Sequence, residues 1–135
     1  MDIKYIIKKG YFSFKKGYNL SQLTKDIPEG YGAYVFHKNT IDGEILYIGK
    51  SGTVNQNGSK HRQNLKKRLT MNQCRSIKRQ KFFNQKFDED STLQSIVIEW
   101  MIVDDKQCLP SFLEASFIQK YYELNHKLPL WNKEF

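Results

Sequence analysis

Acidic residues are missing from one long part of this chain. Between Ile45 and Phe87, a run of 43 residues, there is no Asp or Glu. Cysteine is scarce as well: Cys74 and Cys108 stand far apart, with no CxxC pair and no His/Cys spacing suited to zinc. That excludes a disulfide scaffold and a zinc ribbon, and it predicts reduced thiols in a cytoplasmic protein, nucleoid-associated if the source is bacterial. Long apolar runs are absent too, none approaching the roughly 20 residues of a membrane span. The opening MDIKYIIKKGYF has neither the apolar stretch nor the small-residue cleavage site of a secretory signal.

What remains is the composition of a folded protein. The 135 residues are 39% hydrophobic and 27% charged, enough for one domain with a core. The net charge of +8 is unevenly placed. The acid-free stretch holds Lys50, Lys60, Arg62, Lys66, Lys67, Arg68, Arg75, Lys78, Arg79, Lys81 and Lys86, half of the 22 basic residues. The rest of the chain carries 11 basic against 14 acidic residues. A one-sign segment of this length points to a polyanionic partner, first of all DNA, with RNA not excluded. A membrane surface fits less well, because no strong apolar face alternates with the basic block.

Local patterns divide the chain. Residues 1–18 suggest a short extended element, and Asn19–Thr24 a helical turn closed by Pro28-Glu29-Gly30. Gly32–Lys38 and Glu44–Lys50 are aromatic and β-branched runs joined through Asp42-Gly43, a hairpin signature. Residues 51–59 form a Gly/Asn/Ser loop. From Gln63 to Phe87 the sparse spacing of Leu65, Leu69, Ile77, Phe82, Phe83 and Phe87 predicts a basic helix or a pair of helices. Thr92–Val103 reads as a long strand, and Leu109-Pro110-Ser111 opens a helix reaching about Asn125. The expected fold is α/β in the α+β sense: a small three-stranded antiparallel sheet flanked by helices. It is expected to be one domain over 1–135, with 1–29 an N-terminal extension packed on it.

Five short motifs follow one another in this frame: Gly32-Ala33-Tyr34; Tyr47-Ile48-Gly49-Lys50; Asn64-Leu65-Lys66-Lys67-Arg68-Leu69; Leu113-Glu114-Ala115-Ser116-Phe117-Ile118; and Pro129-Leu130-Trp131-Asn132. In this order they resemble the GIY-YIG nuclease domain over about residues 30–132. The resemblance implies a metal-dependent DNA endonuclease, acting as a monomer or a homodimer. The alternative is a catalytically inactive nucleic-acid-binding domain of the same fold.

Carried over residue by residue, the resemblance makes Glu114 the carboxylate ligand of one Mg2+ or Mn2+. Ser111-Phe112-Leu113-Glu114 also matches a capping box, in which the glutamate only ties down backbone N–H groups. Arg68 becomes the arginine on the scissile phosphate, with Arg62 as the competing assignment. Tyr34 and Tyr47 border the site, Tyr34 as the residue that helps activate water. A tyrosine needs a nearby cation for that task, and Lys50 could supply it; Lys50 also reads as an ordinary strand-end lysine. Gly32, Gly49 and Asn132 support the site. Lys60, His61, Arg62, Lys66, Lys67, Arg75, Lys78 and Arg79 are expected to contact nucleic acid. The sequence departs from the family pattern at Ala33, in the long 51–61 insertion, and at Asn72, where some members carry histidine.

Overall fold

The computed structural model describes residues 4–61 and 63–135. Arg62 lies outside them, and with it the choice between Arg62 and Arg68. In chain order the elements are β1 (Ile6–Phe14), α1 (Leu20–Leu23), β2 (Gly32–Lys38), β3 (Ile45–Lys50), β4 (Thr53–Val54), β5 (Lys60–His61), α2 (Leu65–Thr70), β6 (Asn72–Cys74), β7 (Ile77–Lys78), α3 (Arg79–Glu89), β8 (Ile96–Val103) and α4 (Pro110–Asn125). This is a mixed α+β architecture with one four-stranded antiparallel sheet, ordered β1-β8-β2-β3.

The expected three-stranded sheet is corrected by β1. That strand pairs along β8 from Ile6/Val103 to Phe14/Ile96, so the N-terminal stretch is built into the sheet. It occupies an edge, where exposed Lys8 and Lys9 oppose addition of a further strand. β2 is central and covered on both faces, which is why GAYVFHK is apolar almost throughout.

The two faces of the sheet pack differently. Tyr34 and Phe36 of β2 meet Leu65 and Leu69 of α2 and Phe83 and Phe87 of α3 in a largely aromatic core. Ala33, Val35, Ile48 and Met101 meet Leu113 and Ile118 of α4 in an aliphatic one. The remaining edge, β3, is closed by the C-terminal segment: Trp131 N–H donates to Leu46 C=O at 2.8 Å. Asn132 then accepts from Ile48 N–H and donates to Ile48 C=O, both at 2.9 Å, imitating a neighbouring strand.

The basic helical stretch is also corrected. Helix α2 ends after six residues and a β6–β7 hairpin intervenes before α3. Asn64 caps α2, its side chain accepting from Lys67 N–H at 3.0 Å. The hairpin turns at Arg75, a non-glycine residue with φ 26°. Among the described residues, no helix is long and apolar enough to cross a membrane.

Candidate active site

The two tyrosine-glycine motifs are a matched pair. Tyr34 and Gly49 are direct cross-strand partners. A Cβ at Gly49 would stand 2.6 Å from Cε2, Cζ and Oη of Tyr34, so the phenol ring lies on the bare backbone of the opposite strand. Any other residue at 49 would push that ring away. At Gly32 an added Cβ would stand 1.8 Å from the Met101 carbonyl oxygen of β8. Both glycines are therefore required by close approach.

Beneath these strands lies Arg79, with none of its surface exposed. The expectation that Arg79 contacts nucleic acid is corrected: its guanidinium is a buried tie. Nη2 donates to Tyr34 Oη at 3.1 Å, Nε to Gln73 Oε1 at 2.8 Å, and Nη1 to the carbonyls of Arg68 and Leu69 at 3.0 and 3.4 Å. Among the described residues it has no carboxylate partner. It lies instead against the rings of Tyr34, Phe36 and Tyr47, 5.0, 5.2 and 5.8 Å from their centroids. The last carbonyls of a helix and the faces of aromatic rings both carry negative partial charge, so the cation is compensated without an acid. Arg79 thus joins Tyr34 to the backbone that carries Arg68.

Arg79 is the cation hydrogen-bonded to the Tyr34 hydroxyl. Tyr34 has no exposed surface, so its hydroxyl as placed serves the buried arginine. Tyr47 is half-buried beside it, the two rings stacked with centroids 6.2 Å apart. Burial pushes the Tyr47 phenol above its ordinary pKa, and Tyr34 and Glu114 add to this while Arg79 and Arg68 oppose it. At neutral pH Tyr47 is a protonated donor.

Glu114 lies within the same electrostatic neighbourhood. Helix α4 begins at Pro110 with Leu109 as its N-cap, so Ser111 is inside the helix and Glu114 is its fifth residue. The capping-box reading is thereby excluded. Among the described residues, the Glu114 carboxylate accepts no hydrogen bond and forms no ion pair. Burial raises its pKa, and the charges of Lys50 and Arg68 pull it back. Burial makes ionisation of this unpartnered carboxylate costly, and the two cations offset that cost only in part.

Lys50 and Arg68 line one cleft of about 310 Å3 together with Gln63, Met71 and Asn72. Arg68 is held by buried Leu65 and Leu69 on its helix, and its Nη1 donates to Asn72 C=O at 2.8 Å. Lys50 Nζ donates to Gly52 C=O at 2.9 Å. Each cation is steadied by one carbonyl and keeps further donors for a ligand. A larger groove of about 780 Å3 along α4 contains none of these residues.

The other basic residues divide by their ties. Lys60 Nζ bonds the carbonyls of Gly58 and Asp105, and Lys66 Nζ that of Lys25. His61, Lys67, Arg75 and Lys78 are exposed. Among the described residues of the acid-free stretch, only Lys86 forms an ion pair, with Glu89 at 3.2 Å. The positive charge of this surface is therefore not cancelled locally.

No group of three or more His, Cys, Asp or Glu converges among the described residues. A lone carboxylate such as Glu114 suits Mg2+ or Mn2+, which hold much of their shell as water or phosphate oxygen. The structure also reveals Gln73, a buried partner of Arg79 for which the sequence holds no signal. Compared with known proteins, the chain matches no family model, no curated protein and no solved structure.

Proposed function

We propose that this chain is a GIY-YIG-type nuclease domain that hydrolyses a phosphodiester bond of DNA by in-line attack of water. The observation that carries the proposal is Glu114: a half-buried carboxylate that has no protein partner among the described residues and feels the charges of Lys50 and Arg68. Cations opposite an acid are what a phosphate and its counter-ion need.

Arg68 donates to the scissile phosphate and offsets the charge that grows as the attacking oxygen bonds to phosphorus. Lys50 holds a second phosphate oxygen. Tyr47, as a phenol, orients the attacking water. Tyr34 and Arg79 hold Tyr47 and α2 in place from below. Glu114 would hold Mg2+ or Mn2+, and the ion when bound would neutralise phosphate charge. The exposed cations His61, Lys67, Arg75 and Lys78 carry the non-specific attraction to the DNA backbone.

Incubation of supercoiled plasmid with the protein and Mg2+ tests this, with EDTA and Glu114→Ala as controls. Nicked or linear DNA is expected from the unaltered protein only. Should the plasmid stay supercoiled while binding still weakens steeply with salt, the inactive DNA-binding reading replaces this one. A flat salt response removes both.

A further inference from the structure

Behind β6 lies a second groove, of about 730 Å3, between the β6–β7 hairpin and the C-terminal segment. Asn72 lines the cleft that holds Arg68, and its neighbour Gln73 lines this groove, as consecutive strand residues face opposite ways. One strand therefore separates the two spaces. Tyr47 belongs to the groove's wall and feels the charges of Arg68 and Glu114. Phe82 and Trp131 add an aromatic surface, their rings in edge contact with centroids 5.3 Å apart. Arg75 and Lys133 are exposed at the rim, as is one acid, Glu134, so the rim carries a net positive charge.

Gln73 gives the groove a chemical signature. Its side chain is buried, with 9% of the residue exposed. Arg79 Nε donates to its Oε1, and because a guanidinium can only donate, the oxygen must be the inward end of the amide. The NH2 end has no partner among the described residues and is the end left to the groove. This NH2 end is reached from the groove, where an acceptor from outside can take its hydrogen bond. An aromatic wall, a fixed NH2 and two cations suit a nucleotide: a planar base, a carbonyl or ring-nitrogen acceptor, and phosphate.

We infer that this groove is a subsite for one unpaired base of the substrate strand, adjacent to the phosphate in the cleft. The base stacks on the Trp131 indole with the perpendicular Phe82 ring at its edge, its acceptor edge meets the Gln73 amide, and flanking phosphate meets Arg75 and Lys133. A paired base inside a duplex is already stacked on both faces and cannot enter. The substrate class is thus DNA carrying an unstacked nucleotide, as at a flap, gap or bulge. The inference rests on the nucleic-acid reading of the cleft.

The test is equilibrium binding in EDTA of two duplexes carrying 2-aminopurine, one with the probe paired and one with it in a single-nucleotide bulge. The bulged probe is expected to bind about tenfold more tightly, with a change in its fluorescence on binding. Gln73→Glu keeps an oxygen on Arg79 but turns the groove end from donor to acceptor; it is expected to erase the preference without lowering the unfolding temperature. Arg75→Ala should weaken the bulged probe more than the paired one. Equal affinities for the two probes, or a preference that survives Gln73→Glu, would overturn the subsite. Where the variant does not fold, the comparison of the two probes on the unaltered protein decides. Cleavage in Mg2+ is measured separately: a preference without cleavage removes the hydrolytic reading and keeps the subsite, and cleavage without a preference does the reverse.

Discussion

Arg68 and Arg79 stand eleven positions apart in the same acid-free stretch, yet the fold gives them opposite work. Arg68 is half-buried in a cleft, with one hydrogen bond to a carbonyl and the rest of its guanidinium open. Arg79 has no exposed surface and reaches four acceptors, among them the Arg68 carbonyl. One charge is left open to a ligand and the other is committed to the fold, with one of its bonds on the backbone of the first. A count of basic residues predicts a polyanion-binding protein and says nothing of this division, which depends on where α2 ends and α3 begins.

The comparison can be broken most severely at Arg79. Arg79→Ala leaves Tyr34, Gln73 and two helix-end carbonyls without their donor, each group losing about 1–3 kcal/mol of satisfaction, offset in part by removal of a buried charge. Denaturant unfolding is expected to show a loss on the order of 3–5 kcal/mol. Arg79→Lys should recover only a fraction, because an ammonium cannot reproduce the fork. Arg68→Ala, measured alongside, should change stability by less than about 1 kcal/mol. If the two variants lose similar stability, the division between them fails.

Gly49→Ala sharpens the same contrast, because it displaces the Tyr34 ring and with it the Arg79 contact. A loss of about 1–3 kcal/mol is expected from unfolding curves. Asn132→Ala removes both side-chain bonds to the Ile48 backbone and should cost about 1–2 kcal/mol.

Glu114 behaves in the opposite sense. Its folded-state pKa is raised, so ionisation is harder in the folded chain than in the unfolded one. Its ionisation therefore lowers stability, beginning as pH rises past the ordinary value of 4.5 and complete above the raised folded value. Glu114→Gln is expected to be as stable as the unaltered protein at low pH and more stable at neutral pH, read as unfolding temperature against pH. A variant that is less stable at neutral pH would mean that the carboxylate serves the fold. The smallest effect belongs to the surface: Lys16→Ala loses an exposed pair with Asp88 and should change stability by less than about 0.5 kcal/mol.

Much of the frame could be read before the structure. The β2–β3 hairpin and β8 were legible because buried strands show dense β-branched and aromatic runs. Pro110, which sits well in a helix's first turn, marked the start of α4. Strand β1 was harder: IIKKGYFSF lies at an edge, its lysines turned to water, and an edge strand needs little apolar alternation. The β6–β7 hairpin was missed because its turn uses Arg75 where glycine or asparagine would have signalled it. For the candidate site, the legible part was the set of polar types brought near one another: Tyr47, Lys50, Arg68 and Glu114. The illegible part was burial. Nothing in the letters distinguishes Arg79 from Lys78 beside it, though one has no exposed surface and the other is open to water.

The most direct test of a single hydrolytic centre is a double-variant comparison of plasmid nicking rates in Mg2+. Glu114→Gln and Arg68→Ala are measured singly and together against the unaltered protein. Two groups acting on one phosphate lose their effect together, so the double variant should be no slower than the slower single variant. Losses that multiply, or an unaltered protein that does not nick, would contradict the account.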